Sequence, residues 1–191
     1  MLHRLSILLL LLLPLSCRSL TSKDEELLEA ASRADLPGIQ QLLHEGASSN
    51  AVRHGTETVL GLLISQYKRS HQNRRKEIEV LASTLLAKGA NANALHHGFT
   101  PLQIATGQGS EILVSRLLAY GADPNQATQA GYAPLWQAVF DNNPTIALTL
   151  LHEGADPNAL GPRKQTPLQY LTNRGFQKTR IMLHLRQHGG R

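Results

Sequence analysis

The sequence predicts an all-α chain built of repeated helix pairs, and three observations predict it. The dipeptide Gly-Ala recurs at Gly46, Gly89, Gly121 and Gly154, with a degenerate Gly189-Gly190 near the end. Pro101, Pro134 and Pro167 stand 33 residues apart, each followed by Leu. The stretches beginning at the glycines read GASSN, GANAN, GADPN and GADPN, and the heads read TVL (Thr58), TPL (Thr100), APL (Ala133) and TPL (Thr166).

The unit is clearest in Thr100–Asn125, TPLQIATGQGSEILVSRLLAYGADPN. The Thr100 hydroxyl can accept from an orphan backbone N–H of a first turn, and Pro101 suits the first helical position, where its missing N–H costs nothing. Ile112, Leu113, Leu117 and Leu118 form the apolar stripe of a second short helix. Gly121 ends that helix where a left-handed residue is needed, and Asp123-Pro124-Asn125 makes a turn. Neither helix can bury its stripe alone, so the unit requires stacked neighbours.

A helix–turn–helix–turn unit with this period and a Thr-Pro-Leu head resembles the ankyrin repeat. The resemblance runs from about Glu25 to the C-terminus. It implies a solenoid of about five helix pairs with short finger turns, whose usual work is binding another protein. The expected repeats are about 25–51, 55–94, 98–127, 131–160 and 164–191. Stacked repeats bury their core between neighbours, so an aromatic content of 4% is compatible with folding.

Residues 1–16, MLHRLSILLLLLLPLS, read as a signal peptide: Arg4 supplies the positive n-region, Ile7–Leu13 the apolar h-region and Ser16 a small residue before a cut. The run is too short for the ~20 residues of a spanning helix. A eukaryotic secretory signal and a bacterial lipoprotein signal both fit. Leu15-Ser16-Cys17 resembles the end of the lipobox, with Pro14 where that motif has Leu, and makes Cys17 a candidate lipid anchor. As the only cysteine, Cys17 has no partner for an intrachain disulfide. Residues 17–24 read as a polar tether. The expected compartment is the periplasm, with the chain held at the membrane as a lipoprotein.

The first helix pair is expected at Glu25–Arg33 and Pro37–His44, with acids Asp24-Glu25-Glu26 favourable to the helix dipole. The second unit is anomalous: Gly46 to Gly89 spans 43 residues, ten more than the regular interval. The surplus falls around Gln66–Lys76, which holds the five basic residues Lys68, Arg69, Arg74, Arg75 and Lys76 and no acid. A basic run raises nucleic acid as a partner, but one Tyr67 is little for stacking bases. The favoured reading is a solvated extension that touches an acidic partner or lipid headgroups. The fourth unit is expected to have helices at Pro134–Asp141 and Pro144–Glu153, punctuated by Asp141-Asn142-Asn143. The fifth starts at Thr166 and ends in the polar HLRQHGGR of a C-terminal cap.

Little points to chemistry. His184 and His188 have the i, i+4 spacing of helical metal ligands, without a third ligand. His96-His97 lies in a turn. No G-x-S-x-G or phosphate loop is present, so neither an enzyme nor a cofactor is expected.

In ankyrin repeats the fingers and the exposed side of each first helix line a concave groove that binds partners. Carried over position by position, the resemblance nominates Phe99, Tyr132, Trp136, Phe140, Asp141 and Arg174 for partner binding, with Trp136 at least half buried. Aromatic and Arg side chains are the usual anchors of such surfaces. The expected function is capture of one partner protein in the bacterial envelope, neutralising a toxic effector or enzyme. The alternatives are an envelope scaffold or protector of a periplasmic enzyme and, more distantly, a metal-binding or enzymatic protein using His184 and His188. The oligomeric state stays open.

The leader makes one prediction. A lipidated chain should pellet with membranes and partition into detergent, whereas Cys17→Ala should be soluble or uncleaved. A wild-type chain found soluble in the periplasm, with its N-terminus elsewhere than residue 17, would refute the anchor.

Overall fold

The computed structural model describes residues 20–128, 130–161, 163–176 and 179–191. The signal peptide and Cys17 lie outside them. Among the described residues the chain forms five helix pairs: α1 (Ser22–Arg33) with α2 (Leu36–His44), α3 (Val59–Ser65) with α4 (Gln72–Ala87), α5 (Pro101–Gln108) with α6 (Glu111–Ala119), α7 (Pro134–Phe140) with α8 (Pro144–His152), and α9 (Pro167–Asn173) with α10 (Arg180–Gln187). The first helices α1, α3, α5, α7 and α9 stack in one row and the second helices in another. The core is the continuous apolar seam between the rows, with Leu27, Leu63, Leu85, Leu117, Leu135, Leu150 and Leu185 fully buried. Each pair lends half of every apolar layer, which is why short helices hold their shape here.

The starts of the helices follow local chemistry. Thr100 and Thr166 form capping boxes with Gln103 and Gln169, and a Pro sits in the first turn of α5, α7 and α9. Ala133 supplies no side-chain cap to α7, so Pro134 is the local start signal there. The expected tether is corrected at its end: α1 begins at Ser22 and not at Glu25. Thr21 accepts from Asp24 N–H while the Asp24 carboxylate accepts from Thr21 N–H, a capping box the tether reading overlooked. Asp24 also accepts from Ser48 N–H at 2.7 Å, which pins the end of the first pair. Burial raises the Asp24 pKa, yet its bonds from Ser48 and Thr21 outweigh that and hold it below its ordinary value.

The second helices end on a left-handed glycine, as at Gly121 with φ of 80°. There the chain turns and Ala122 N–H closes on Leu117 O at 3.0 Å. Beyond the first four of these glycines an Asp, Asn or Ser folds back on a following Asn: Asp123 Oδ1 accepts from Asn125 N–H at 2.8 Å. That Asn then reaches into the next repeat. Asn125 donates to Gly154 O at 2.9 Å and accepts from Asp156 N–H at 2.8 Å. Asn50 does the same to Gly89 O and Asn91 N–H, Asn93 to Gly121 O and Asp123 N–H, and Asn158 to Gly189 O and Arg191 N–H. Four asparagines thus run a ladder of paired bonds along the stack.

The ten-residue surplus of the second unit lengthens α4 to 16 residues, against 9 in α6, and adds a 3-10 turn, Tyr67–Arg69. The reading of this stretch as a solvated extension is corrected for Tyr67 and Arg75, which are partly buried, while Arg74 is exposed but tied back to the first pair. Tyr67 is half-buried against the core and donates to Glu79 at 2.7 Å. The Arg75 guanidinium lies 5.3 Å over the Tyr67 ring and donates to the carbonyls of Tyr67 and Lys68. Arg74 donates to the carbonyl of Ala34, the left-handed residue that ends α1. Two of the five cations, Arg74 and Arg75, therefore clasp backbone carbonyls at helix ends, and all but Arg75 are exposed.

The ladder makes a graded prediction. A net hydrogen bond contributes about 0.5–1.5 kcal/mol, and water replaces part of it at an exposed site. Asn125→Ala should therefore lose about 1 kcal/mol, a fall of about 2–4 °C in thermal midpoint. Leu117→Ala, which opens a core cavity, should lose about 2–5 kcal/mol. Asn125→Asp keeps the acceptor for Asp156 N–H without the donor and should fall between wild type and Asn125→Ala. Melting of the three variants side by side checks the order.

Candidate partner-binding groove

The first helices are tied to the fingers by the residue three positions past each cap. In α5 this is Gln103. Its Oε1 accepts from Thr100 N–H at 2.8 Å, and its Nε2 donates onward to Gln126 O at 2.7 Å and Tyr132 O at 3.1 Å. In α7 the same position is Trp136, whose indole N–H donates to Ala159 O at 2.8 Å. In α3 it is Gly61, and the room left there is filled from the next finger by His96. A Cβ on Gly61 would fall 2.3 Å from His96 Cβ. His96 Nδ1 accepts from Thr58 N–H at 3.3 Å, the bond that glutamine makes in α5. One helix position thus fixes the next finger by three different side-chain solutions.

Fingers held this way leave their tips beside the first helices. Phe99 is 51% exposed, Tyr132 41% and Phe140 63%. These three rings line one apolar hollow of about 710 Å³, floored by Ile104 and Gly107 of α5 and closed by Gln108 and Gln137. A second hollow of about 310 Å³ adjoins it, sharing Tyr132, Trp136 and Phe140 and adding Arg163, Tyr170 and Arg174. The two form a groove along the third, fourth and fifth helix pairs. A separate hollow of about 840 Å³ lies over α1 and α2 and is lined by Glu25, Glu29 and Arg33, without a Phe, Tyr or Trp ring.

Trp136, expected to be at least half buried, is only 3% exposed, so it lines the groove without standing out from it. Its ring packs under Gly161, where a Cβ would fall 2.5 Å from the indole, and meets the edge of Tyr170 at 5.6 Å between centroids. The indole is a wedge between repeats and the floor of the groove. Asp141 is exposed and accepts from Gln137 Nε2 at 2.7 Å; it stands beside Phe140 without lining either hollow. Arg174 is exposed, with its guanidinium 5.3 Å from the Tyr170 centroid.

Tyr170 is the residue that sequence reasoning missed. Its ring stacks on Phe140 at 6.3 Å with 29° between planes, joining Phe140, Trp136 and Arg174 into one surface. The signal was available: Tyr170 sits four residues past Thr166, as Ile104 and Gln137 sit past their caps, and both of those line the groove.

The basic turn meets this surface at one edge. Lys68 backbone N–H donates to Gln108 Oε1 at 3.0 Å, placing Lys68 and Arg69 beside the Gln108 end. His184 and His188 do not converge. His188 Nδ1 lies 2.9 Å from the carbonyl of His184, and the His188 ring packs 5.2 Å from His152. Among the described residues no group of three His, Cys, Asp or Glu could hold a metal ion.

With this geometry in view, a family model for ankyrin repeats, in three copies, matches residues 71–161. Over those residues the chain is similar to ankyrin repeats. Such repeats make a protein-binding module that is typically non-enzymatic. XBAT34 of Arabidopsis thaliana, named as a putative E3 ubiquitin-protein ligase, is 35% identical over 106 residues, which is 54% of this chain and 26% of that protein. The human ankyrin repeat and MYND domain-containing protein 1 is 49% identical over 41 residues, 22% of this chain and 4% of that protein. This chain therefore spans about a quarter or less of these relatives' lengths.

His96 gives the finger a pH dependence. Burial, aided by nearby His97 and opposed by Glu57, holds its pKa below the ordinary 6.5. The unfolded chain then binds the proton more readily than the folded one. The stability this buried neutral ring supplies is full above about pH 6.5 and is lost as pH falls through the folded value. Wild-type thermal midpoints should drop between about pH 7.5 and about pH 5. The drop should be shallower in His96→Gln, whose amide does not titrate; equal slopes would refute the assignment.

Proposed function

We propose that this chain is an exported binding protein that holds one partner protein in the groove of Phe99, Tyr132, Phe140 and Tyr170, within the bacterial envelope. The observation that carries the groove is the apolar surface itself. Three well-exposed rings come together over a rigid floor, in a chain whose aromatic content is only 4%. Rings presented by fingers lose little conformational freedom on binding and desolvate a large area, the recipe of an interface anchor. The Tyr132 backbone is held by Gln103 and that of Phe99 by its pairing with His96, so the partner does not have to order these fingers.

The compartment rests on residues 1–17, whose charge and hydropathy pattern is that of an export signal. In that setting a small binding module without catalytic groups acts by occupying its partner. Neutralisation of a toxic effector or enzyme is the reading we favour over a scaffold. The shape of the groove supports it: two joined hollows accept one protruding segment, not a flat assembly face.

Photo-crosslinking from position 99 in the envelope fraction, followed by affinity measurement on the captured protein, tests this reading. Tyr132→Ala and Phe140→Ala should each weaken binding about thirtyfold, near 2 kcal/mol, with thermal midpoints close to wild type. Leu102→Ala, buried under the cap of α5, should instead lose about 2–5 kcal/mol of stability. Should the two ring variants melt early and bind normally, the rings are packing and the groove reading is wrong.

A further inference from the structure

The groove is apolar in its middle and basic at both ends. No Asp, Glu, Lys or Arg lines the larger of its two hollows. At the far end Arg163 and Arg174 line the smaller one with no carboxylate beside them in its wall. Among the described residues neither of these arginines pairs with an acid. Arg174 lies over the Tyr170 ring, a placement that leaves the edge of its guanidinium available to a planar anion. At the near end the bond from Lys68 N–H to Gln108 sets exposed Lys68 and Arg69 beside the groove, outside its lining, while the one carboxylate near His97 there, Glu57, is already paired with Arg53. Asp141 stands next to Phe140, and its carboxylate is engaged by the Gln137 amide.

We propose that the occupant of this groove is a partner segment with an apolar centre and carboxylate side chains at both ends. This rests on the groove being the binding face and adds the chemistry of what it binds. The two basic ends belong to the second and fifth helix pairs, three inter-repeat steps apart. At about 8–10 Å per helix spacing that is about 27 Å, or about eight residues of extended chain. A segment of this kind sets its aromatic or aliphatic side chains between Phe99, Tyr132 and Phe140. Its first and last acids then meet Lys68/Arg69 and Arg163/Arg174. The formal charge of the chain, +5 at neutral pH, favours approach of such a segment.

The test is selection of randomised peptides of about twelve residues, the span plus a margin, on the full chain. Enriched peptides should carry Asp or Glu on both sides of an apolar centre. Replacing those acids by Asn or Gln should weaken binding at least tenfold. The pair Arg163→Glu with Arg174→Glu should do the same with an unchanged thermal midpoint, and added salt should weaken the wild-type complex. Enriched peptides with neutral or basic flanks would overturn the proposal. So would equal binding by an acidic peptide without the apolar centre, indifference to the charge reversal, or no enrichment over a blank surface. Phe140→Ala separates the two levels. Neutral-flanked peptides that lose affinity to it leave the groove standing and remove the charge rule. Peptides indifferent to both Phe140→Ala and Tyr132→Ala remove the groove itself.

Discussion

The asparagine that closes each repeat is the interaction on which the rest depends. Hydrophobic burial between rows of short helices is strong but non-directional, and a leucine seam alone would tolerate sliding of one pair along the next. The side chains of Asn50, Asn93, Asn125 and Asn158 each offer a donor and an acceptor to the backbone of the following unit, at 2.7–3.0 Å. Two bonds of opposite sense set one register. The glycine and the Asx turn before each asparagine serve to aim it. With the second helices locked at that edge, the first helices and their fingers follow at a regular interval, and a groove exists at all.

At the opposite edge the constraint is solved anew in each repeat. Gln103 bonds two carbonyls of the following finger, Trp136 bonds one and fills the space above it, and Gly61 vacates its place for His96. These are equivalent in geometry and unlike in chemistry. The finger after α7 rests on an indole that doubles as the groove floor, so the exposed rings of Tyr132 and Phe140 stand over a closely packed base. The finger after α3 rests on a titratable ring.

These differences explain what was legible from the residues alone. Most helix starts and ends were, because Thr caps, first-turn prolines and left-handed glycines are local signals that need no partner, although the Thr21 cap of α1 was passed over. Phe99 and Tyr132 were placed at the groove as finger residues and Phe140 as the end of a first helix, because both positions repeat with the period. Trp136 was legible in part: its burial was expected, but not that Gly161, 25 residues on, makes room for it and closes over the indole. Tyr170 was missed because its repeat mates are Ile104 and Gln137, and no shared residue type marks the position. The basic stretch was read as solvated because charge runs usually are. Arg74 reaches a carbonyl 40 residues back, and Arg75 lies over a ring eight residues away, contacts that composition does not announce.

The single tryptophan has an optical consequence. Its indole is buried at the seam between the fourth and fifth pairs, under Gly161 and against Tyr170. Its emission therefore follows that seam alone, whereas helical ellipticity sums over all five pairs. In a stack whose units touch only their neighbours, coincidence of the two curves measures how far cooperativity travels. The molecule carries its own gauge of whether its repeats melt together or come apart joint by joint.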